Sequence, residues 1–291
     1  MSPSRLAGAI DLSAVAVRHD LEYARHDGVS LKGHLWRPAE PGPHRVIVAM
    51  HGGGWQAGSP DSFQHLGPWL AARGCAVFAI AYRFSKPDRK AWPECILDAR
   101  AAVQFLKGRA DELGVDPERV SIMGDSAGGH LSALVALAGD DPVFANACPD
   151  DPFRQISTKV RCVIGNYGVY DLVGQWMHDQ PIRPNDHIVQ RLMGFAPMQN
   201  RRAYFDASPQ SYVETGRTGP SFLLVHGTED DVVDRSQTDN FHTALKLAGF
   251  YTRRLMVQGA GHYFVSDPMD EAGSLSAWLA PRILRFVEER G

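Results

Sequence analysis

Ser126 stands in Gly124-Asp125-Ser126-Ala127-Gly128, a match to the G-x-S-x-G pattern of a nucleophile elbow. The apolar run VSIM at 120–123 precedes it and reads as a strand, and Ala127–Leu137 reads as a helix. A serine on a sharp strand-to-helix turn is lifted clear of the sheet. Small neighbours at Gly124 and Gly128 let the chain pass closely. The helix start beneath it carries partial positive charge and unpaired N–H groups, which favour a developing anion. Without that context the motif is only a glycine turn with an incidental serine. With it, Ser126 is a nucleophile.

A second glycine-rich turn, His51-Gly52-Gly53-Gly54-Trp55, follows the apolar run VIVAM directly. Three consecutive glycines permit a turn that side chains would block. Such a turn can aim the backbone N–H groups of Gly53 and Gly54, with that of Ala127, at an oxyanion. Each fixed donor of this kind is worth about 10²–10³ in rate. A phosphate loop is excluded, because neither G-x-x-x-x-G-K-[ST] nor G-x-G-x-x-G spacing is present. His51 is read as bracing the loop.

A serine nucleophile needs a base, and the base needs an orienting acid. Both occur after Ser126, at the ends of strand-like runs. FLLV leads into His226-Gly227-Thr228-Glu229-Asp230-Asp231, and RLMV leads toward Gly259-Ala260-Gly261-His262-Tyr263-Phe264. Sites in open α/β sheets form at the carboxyl ends of parallel strands, so His262 is the expected base. Spacing favours Asp230 as the acid, with Asp231 as the second candidate. Glu229 and Asp234 read as solvated or helix-capping, His226 as structural and His130 as packed.

The elements that must position these loops are legible as a pattern. Leu21–His26 and Leu31–Arg37 flank Asp27-Gly28, a hairpin signal. Val46–Met50 and Cys75–Tyr82 are wholly apolar, as strands buried on both faces are. Helices are expected near Pro93–Lys107, Gln237–Ala248 and Ser276–Glu289, and further strands at Val160–Asn166, Ser221–Val225 and Arg253–Val257. Residues 1–18 read as a short amphipathic lead-in, with one helix as the expected form. The alternation predicts a mostly parallel sheet covered by helices on both faces, an α/β class. Residues 168–220 break the rhythm with scattered aromatics, prolines and charges. A structureless loop of that length is improbable in a compact domain, so the segment is expected to be a cap inserted into a single domain over 1–291.

The chain of 291 residues has 30 basic and 33 acidic side chains, net −3, which gives no reason to expect a nucleic-acid partner. No stretch approaches the ~18 apolar residues of a membrane span, and the N-terminus lacks the pattern of a signal peptide. Cys75, Cys95, Cys148 and Cys162 are far apart with no C-x-x-C pair and read as free thiols. A cytoplasmic location is expected.

Taken together, HGGGW at 51–55, AYRFS at 81–85, GVDPERVSIMGDSAGGHLSAL at 114–134, HGTEDDVV at 226–233 and GAGHYF at 259–264 resemble the hormone-sensitive-lipase-like esterases. They are similar also to the kynurenine formamidases and small feruloyl or acetyl esterases. The resemblance spans roughly residues 20–290 in order. It implies an α/β-hydrolase fold, a Ser126–Asp230–His262 triad, an oxyanion hole of Gly53, Gly54 and Ala127, and a homodimer. Two features depart from it. Only about twenty residues precede the first expected strand, too few for a helical N-terminal cap. Phe84-Ser85-Lys86-Pro87 follows Tyr82-Arg83 in place of the usual Leu-Ala-Pro-Glu.

The expected reaction is hydrolysis of a small or aromatic acyl ester through an acyl-enzyme, with no metal or organic cofactor. Trp55, Phe63, Trp176, Met177 and Tyr263 are the expected substrate-binding residues, since aromatic and large apolar groups supply most area in such pockets. Two other readings compete. One is an N-formyl amide hydrolase of the formamidase kind. The other is a non-catalytic binding protein on a hydrolase scaffold, which the presence of His262 argues against. A peptidase of the prolyl type is disfavoured by the absence of a large extra domain.

Overall fold

The computed structural model describes residues 11–216 and 219–291. Eight strands form one sheet: β1 (Val15–His26), β2 (Val29–Pro38), β3 (His44–Met50), β4 (Cys75–Ile80), β5 (Val115–Asp125), β6 (Cys162–Asn166), β7 (Ser221–Gly227) and β8 (Thr252–Val257). Their order is β1-β2-β4-β3-β5-β6-β7-β8. The β1–β2 and β2–β4 pairs are antiparallel, and every other pair is parallel.

The helices are α1 (Leu66–Ala71), α2 (Glu94–Gly108), α3 (Ala110–Leu113), α4 (Ala127–Ala138), α5 (Pro142–Ala145), α6 (Leu172–Ile182), α7 (Ile188–Met193), α8 (Arg201–Ala207), α9 (Ser236–Leu247) and α10 (Leu275–Arg290). They cover both faces because the central strands are apolar on both. In β3, Val46, Val48 and Met50 point into one core, with Ile96 and Val103 of α2, Leu131 of α4 and Phe241 of α9. Ile47 and Ala49 point the other way, onto Trp69 of α1 and Ile283 and Phe286 of α10. Each such side chain, fully buried, contributes about 1.5–3 kcal/mol relative to exposure. The mostly parallel, doubly covered sheet expected from the alternation is therefore the observed one.

The lead-in differs from expectation. Residues 1–10 of it lie outside the described residues. Leu12–Ala14 form a single 3₁₀ turn, and β1 begins at Val15, ahead of the expected Leu21. Register breaks between Arg18 and Leu21 and between Glu22 and Ala24 scramble the period-two pattern, so the strand's first half did not read as one. Pro281 sits inside α10 without ending it.

Residues 168–220 lie between β6 and β7 and form α6, α7, α8 and a 3₁₀ turn at Pro209–Tyr212, with 217 and 218 outside the description. Asp171 caps α6 by accepting the N–H groups of Val173 and Gly174 at 2.9 and 3.1 Å.

A buried charge cluster ties the antiparallel edge to this framework. Arg83 donates from Nε and Nη2 to the two oxygens of Asp98 on α2, at 2.9 and 2.8 Å. The Arg83 backbone N–H adds a third bond at 2.8 Å. His26, at the end of β1, donates to the same carboxylate from Nδ1 at 2.9 Å. Hydrogen bonds from His26 to Asp151 and Asp98, aided by Cys148, push its pKa up to about 11, so the ring is charged at neutral pH. Asp98 is fully buried between two cations, and removing it leaves His26 with Asp151 alone and Arg83 with only the exposed Asp27. Asp98→Ala should destabilise the protein by about 3–5 kcal/mol in urea unfolding. A loss below about 1 kcal/mol would show that the cluster does not hold β1 to α2.

Candidate active site

Ser126 occupies the one residue between β5 and α4, at φ 53° and ψ −115°. A non-glycine residue there costs on the order of 1–3 kcal/mol unless its surroundings enforce it. They do so on three sides. The Ser126 N–H donates to the Asn166 carbonyl of β6 at 2.9 Å, and its carbonyl accepts the His130 N–H at 3.0 Å. A Cβ at Gly128 would stand 2.0 Å from the Met50 carbonyl, so only glycine lets α4 start this close to β3.

The loop after β3 is fixed as tightly. Gly53 has φ 116°, and its carbonyl accepts the N–H groups of Gln56 and Ala57 at 3.0 and 3.1 Å. Among the described residues no carbonyl takes the N–H of Gly53 or Gly54. Ala127 is the first residue of α4, and a first-turn N–H has no partner within its helix. Gly53, Gly54 and Ser126 line one cavity of about 230 Å³. Its mouth therefore holds a hydroxyl beside unengaged donors.

Two histidines brace this arrangement. His51 donates from Nδ1 to the Gly52 carbonyl at 2.7 Å and stacks on Tyr82, centroids 4.5 Å apart. His130 accepts the Trp55 indole N–H at 3.1 Å and donates from Nε2 to the Ala207 carbonyl at 2.7 Å, joining the glycine loop to the end of α8. Burial lowers the pKa of each to about 4, so both rings stay neutral.

Between the loops that follow β8 and β7, His262 donates from Nδ1 to Asp230 Oδ2 at 2.7 Å. Asp230 Oδ1 accepts the N–H groups of Val232 and Val233, each at 2.9 Å. His226 Nε2 stands 3.4 Å from Asp230 Oδ2 while donating to the Val233 carbonyl at 3.0 Å. Burial alone would raise the Asp230 pKa. The hydrogen bonds of His226 and His262 outweigh it and hold the carboxylate well below the usual range. Asp231 is exposed and makes no such bond, which separates the two acid candidates geometrically. His262 Nε2 is buried and has no hydrogen-bond partner, so its bond to the Ser126 hydroxyl is not closed. Catalytic hydrogen bonds often tighten only when substrate is held. Tyr167 packs against the ring at 4.4 Å between centroids and limits its movement.

Of the residues expected to bind substrate, Trp55 and Tyr263 line the cavity above Ser126. The other three lie elsewhere. Phe63 ends a 3₁₀ turn that drives its ring into the core on the far face of the sheet, where it is fully buried with Trp36 and Trp69. Trp176 and Met177 line a separate groove with Tyr204 and Phe205. Each residue of a helix turns about 100° from the last, so the face of α6 toward Ser126 is instead Gln175 and Asp179, followed by Arg183. Their i, i+4, i+8 spacing was readable in the sequence; selecting for aromatic and apolar residues passed over it. Among the described residues no group of three or more His, Cys, Asp or Glu side chains could hold a metal ion.

Residues 35–245 match the family described as BD-FAE. The chain is 33% identical to a probable carboxylic ester hydrolase, LipM, of Mycobacterium tuberculosis over 73% of its own length and 48% of the relative's. It is 32% identical to the esterase LipC of the same organism, over 82% of this chain and 57% of that one. The chain thus spans about half the length of these curated relatives. Among solved structures it resembles a thermophilic esterase of Thermogutta terrifontis at TM-score 0.75 and 27% identity, covering 96% of this chain and 93% of that one. That esterase has also been solved with propionate or butyrate bound and phosphorylated by paraoxon. The fold is the α/β-hydrolase fold.

Asp125, the last residue of β5 and next to Ser126, is buried, and burial pushes its pKa up to about 7 against the opposing hydrogen bond from Asn166. The unfolded chain therefore releases this proton more readily than the folded one. The stability that the raised value confers is complete below about pH 4 and is lost as pH rises through about 7. Asp125→Asn, which keeps an acceptor for Asn166 and carries no charge, should gain stability over the wild type across that window, by up to about 4 kcal/mol at pH 8. Thermal melts from pH 4 to pH 8 check this; a constant difference between the two proteins would refute it.

Proposed function

Because this chain belongs to the BD-FAE family, we propose that it is a serine carboxylesterase acting on small or aromatic acyl esters. The observation that carries the reading is the Asp230–His262 hydrogen bond between two loops whose Val232, Val233 and Tyr263 line the cavity that Ser126 and the glycine loop share. In this mechanism His262 takes the Ser126 proton through Nε2 as the hydroxyl attacks the ester carbonyl. Asp230, unable to take the proton itself at so low a pKa, holds the ring and stabilises its charged form. The N–H groups of Gly53, Gly54 and Ala127 receive the oxyanion. His262 then protonates the departing alcohol, and water repeats the cycle on the acyl-enzyme.

A cavity of about 230 Å³ supports a short or compact acyl group. The propionate and butyrate complexes of the Thermogutta terrifontis esterase, and its reaction with paraoxon, support the same site chemistry. The domain reading is one hydrolase domain with 168–220 as its cap, supported by the cavity residues that α6 and α7 supply. Cytoplasmic location belongs to the proposal and is supported by four unpaired cysteines. No helix among the described residues is long and apolar enough to cross a membrane. A homodimer rests on the family resemblance alone, and a protein sedimenting at one chain mass would remove it.

A single series of kinetic measurements tests the activity. Ser126→Ala should abolish both fluorophosphonate labelling and hydrolysis of p-nitrophenyl butyrate. Asp230→Asn should lower kcat on the order of 10⁴-fold, the loss expected for a wrong imidazole tautomer. Butyrate should be cleaved faster than dodecanoate. Labelling that survives in Ser126→Ala refutes the nucleophile, and preference for the long chain refutes the substrate class.

A further inference from the structure

The cavity above Ser126 has two chemically different walls. One is apolar, built by Val169, Ile188, Val232 and Val233. The other is polar, with Gln175 and Asp179 one turn apart on α6 and Arg183 directly after its last residue. A hydrolase needs nothing of that kind for the reaction itself. Gln175 and Asp179 are only 4% and 2% exposed, and polar groups are seldom buried at a cavity wall without a partner.

Their hydrogen bonds leave one acceptor over. The Gln175 amide donates from Nε2 both to Asp179 Oδ1 at 2.9 Å and to the Val232 carbonyl at 3.0 Å. Two acceptors on that side fix which end of the amide is nitrogen. Gln175 Oε1 is then buried with no partner. The Arg183 side chain, at the same wall, makes no hydrogen bond or ion pair among the described residues, although its backbone N–H closes α6 on the Asp179 carbonyl at 2.7 Å. The wall thus offers an unmatched acceptor, a carboxylate beside it and an unengaged guanidinium.

Charge decides between ligands. A substrate carboxylate or phosphate would meet Asp179, and a cation would meet Arg183. A neutral hydroxyl suits both, donating to Gln175 Oε1 while accepting from Arg183. Resting on the esterase reading, we propose that the Gln175–Asp179–Arg183 face selects esters that carry a hydroxyl group away from the scissile carbonyl. The hydroxyl belongs to either the acyl or the alcohol part, and the chemistry of recognition is the same for both.

Two matched pairs test this, each chosen so that the hydroxyl is insulated from the reacting carbonyl. The acyl arm compares methyl 3-(4-hydroxyphenyl)propanoate with methyl 3-phenylpropanoate. The alcohol arm compares 2-hydroxyethyl butyrate with n-propyl butyrate. In the wild-type protein the hydroxylated ester should lead in kcat/KM by about tenfold or more in one arm, which identifies the part of the substrate that bears the group. Gln175→Leu should lower that ratio toward one, acting mainly through KM. Arg183→Met, which removes no side-chain hydrogen bond or ion pair of the folded chain, should lower it in the same direction and keeps the test open if the Gln175 variant folds poorly. Wild-type ratios within about twofold of one in both arms overturn the inference while leaving the esterase reading intact. Equal losses on both members of a pair in Gln175→Leu overturn it too, since a structural role alone would do that. No turnover of any of the four esters, with no fluorophosphonate labelling, overturns both readings together.

Discussion

The close approach of α4 to the end of β3 is the constraint on which the site depends. Gly128 touches the Met50 carbonyl so nearly that a methyl group could not be inserted. That contact sets the angle at which the chain leaves β5, and the angle forces Ser126 into a left-handed conformation that serine rarely adopts. The same approach puts the start of α4, with its unpartnered N–H groups, beside the glycine loop that follows β3. The position of Ser126, the unengaged N–H groups beside it and the backbone strain are one packing fact seen from three sides. The burial of β3 between two helical layers keeps it from relaxing.

Around this centre the polar groups divide by environment. His51 and His130 are buried without a charged partner and are held neutral, so they serve as rigid braces. His26 is buried against two carboxylates and is held charged, so it serves as a clamp. Asp230 is buried yet strongly acidic because four donors surround it. Asp125 is buried with a single donor and shifts the other way. Residue type alone assigns none of these states; the number and charge of the partners does.

Residues 168–220 show the limit of choosing binding residues by type. Trp176 and Met177 are large and apolar, and the expectation that they meet substrate followed from that. The turn of α6 carries them to a groove against α8 and leaves Gln175, Asp179 and Arg183 above Ser126. Phe63 failed for a related reason, since a ring at the end of a short 3₁₀ turn can fall to either side of a sheet, and the deeper core took it.

By itself the sequence determined the order of strands and helices, the doubly covered sheet, and the loops that carry Ser126, Asp230, His262 and the consecutive glycines. Those features are local: apolar runs, glycine spacing and strand ends are properties of neighbouring residues. Only the tertiary structure decided that Asp230 rather than Asp231 meets His262, because the fold of the loop buries the first carboxylate against the ring and leaves the second exposed. The tertiary fold also decided which face of α6 shares the cavity with Ser126, since helical rotation relative to a distant strand is fixed by packing between elements that no local pattern encodes.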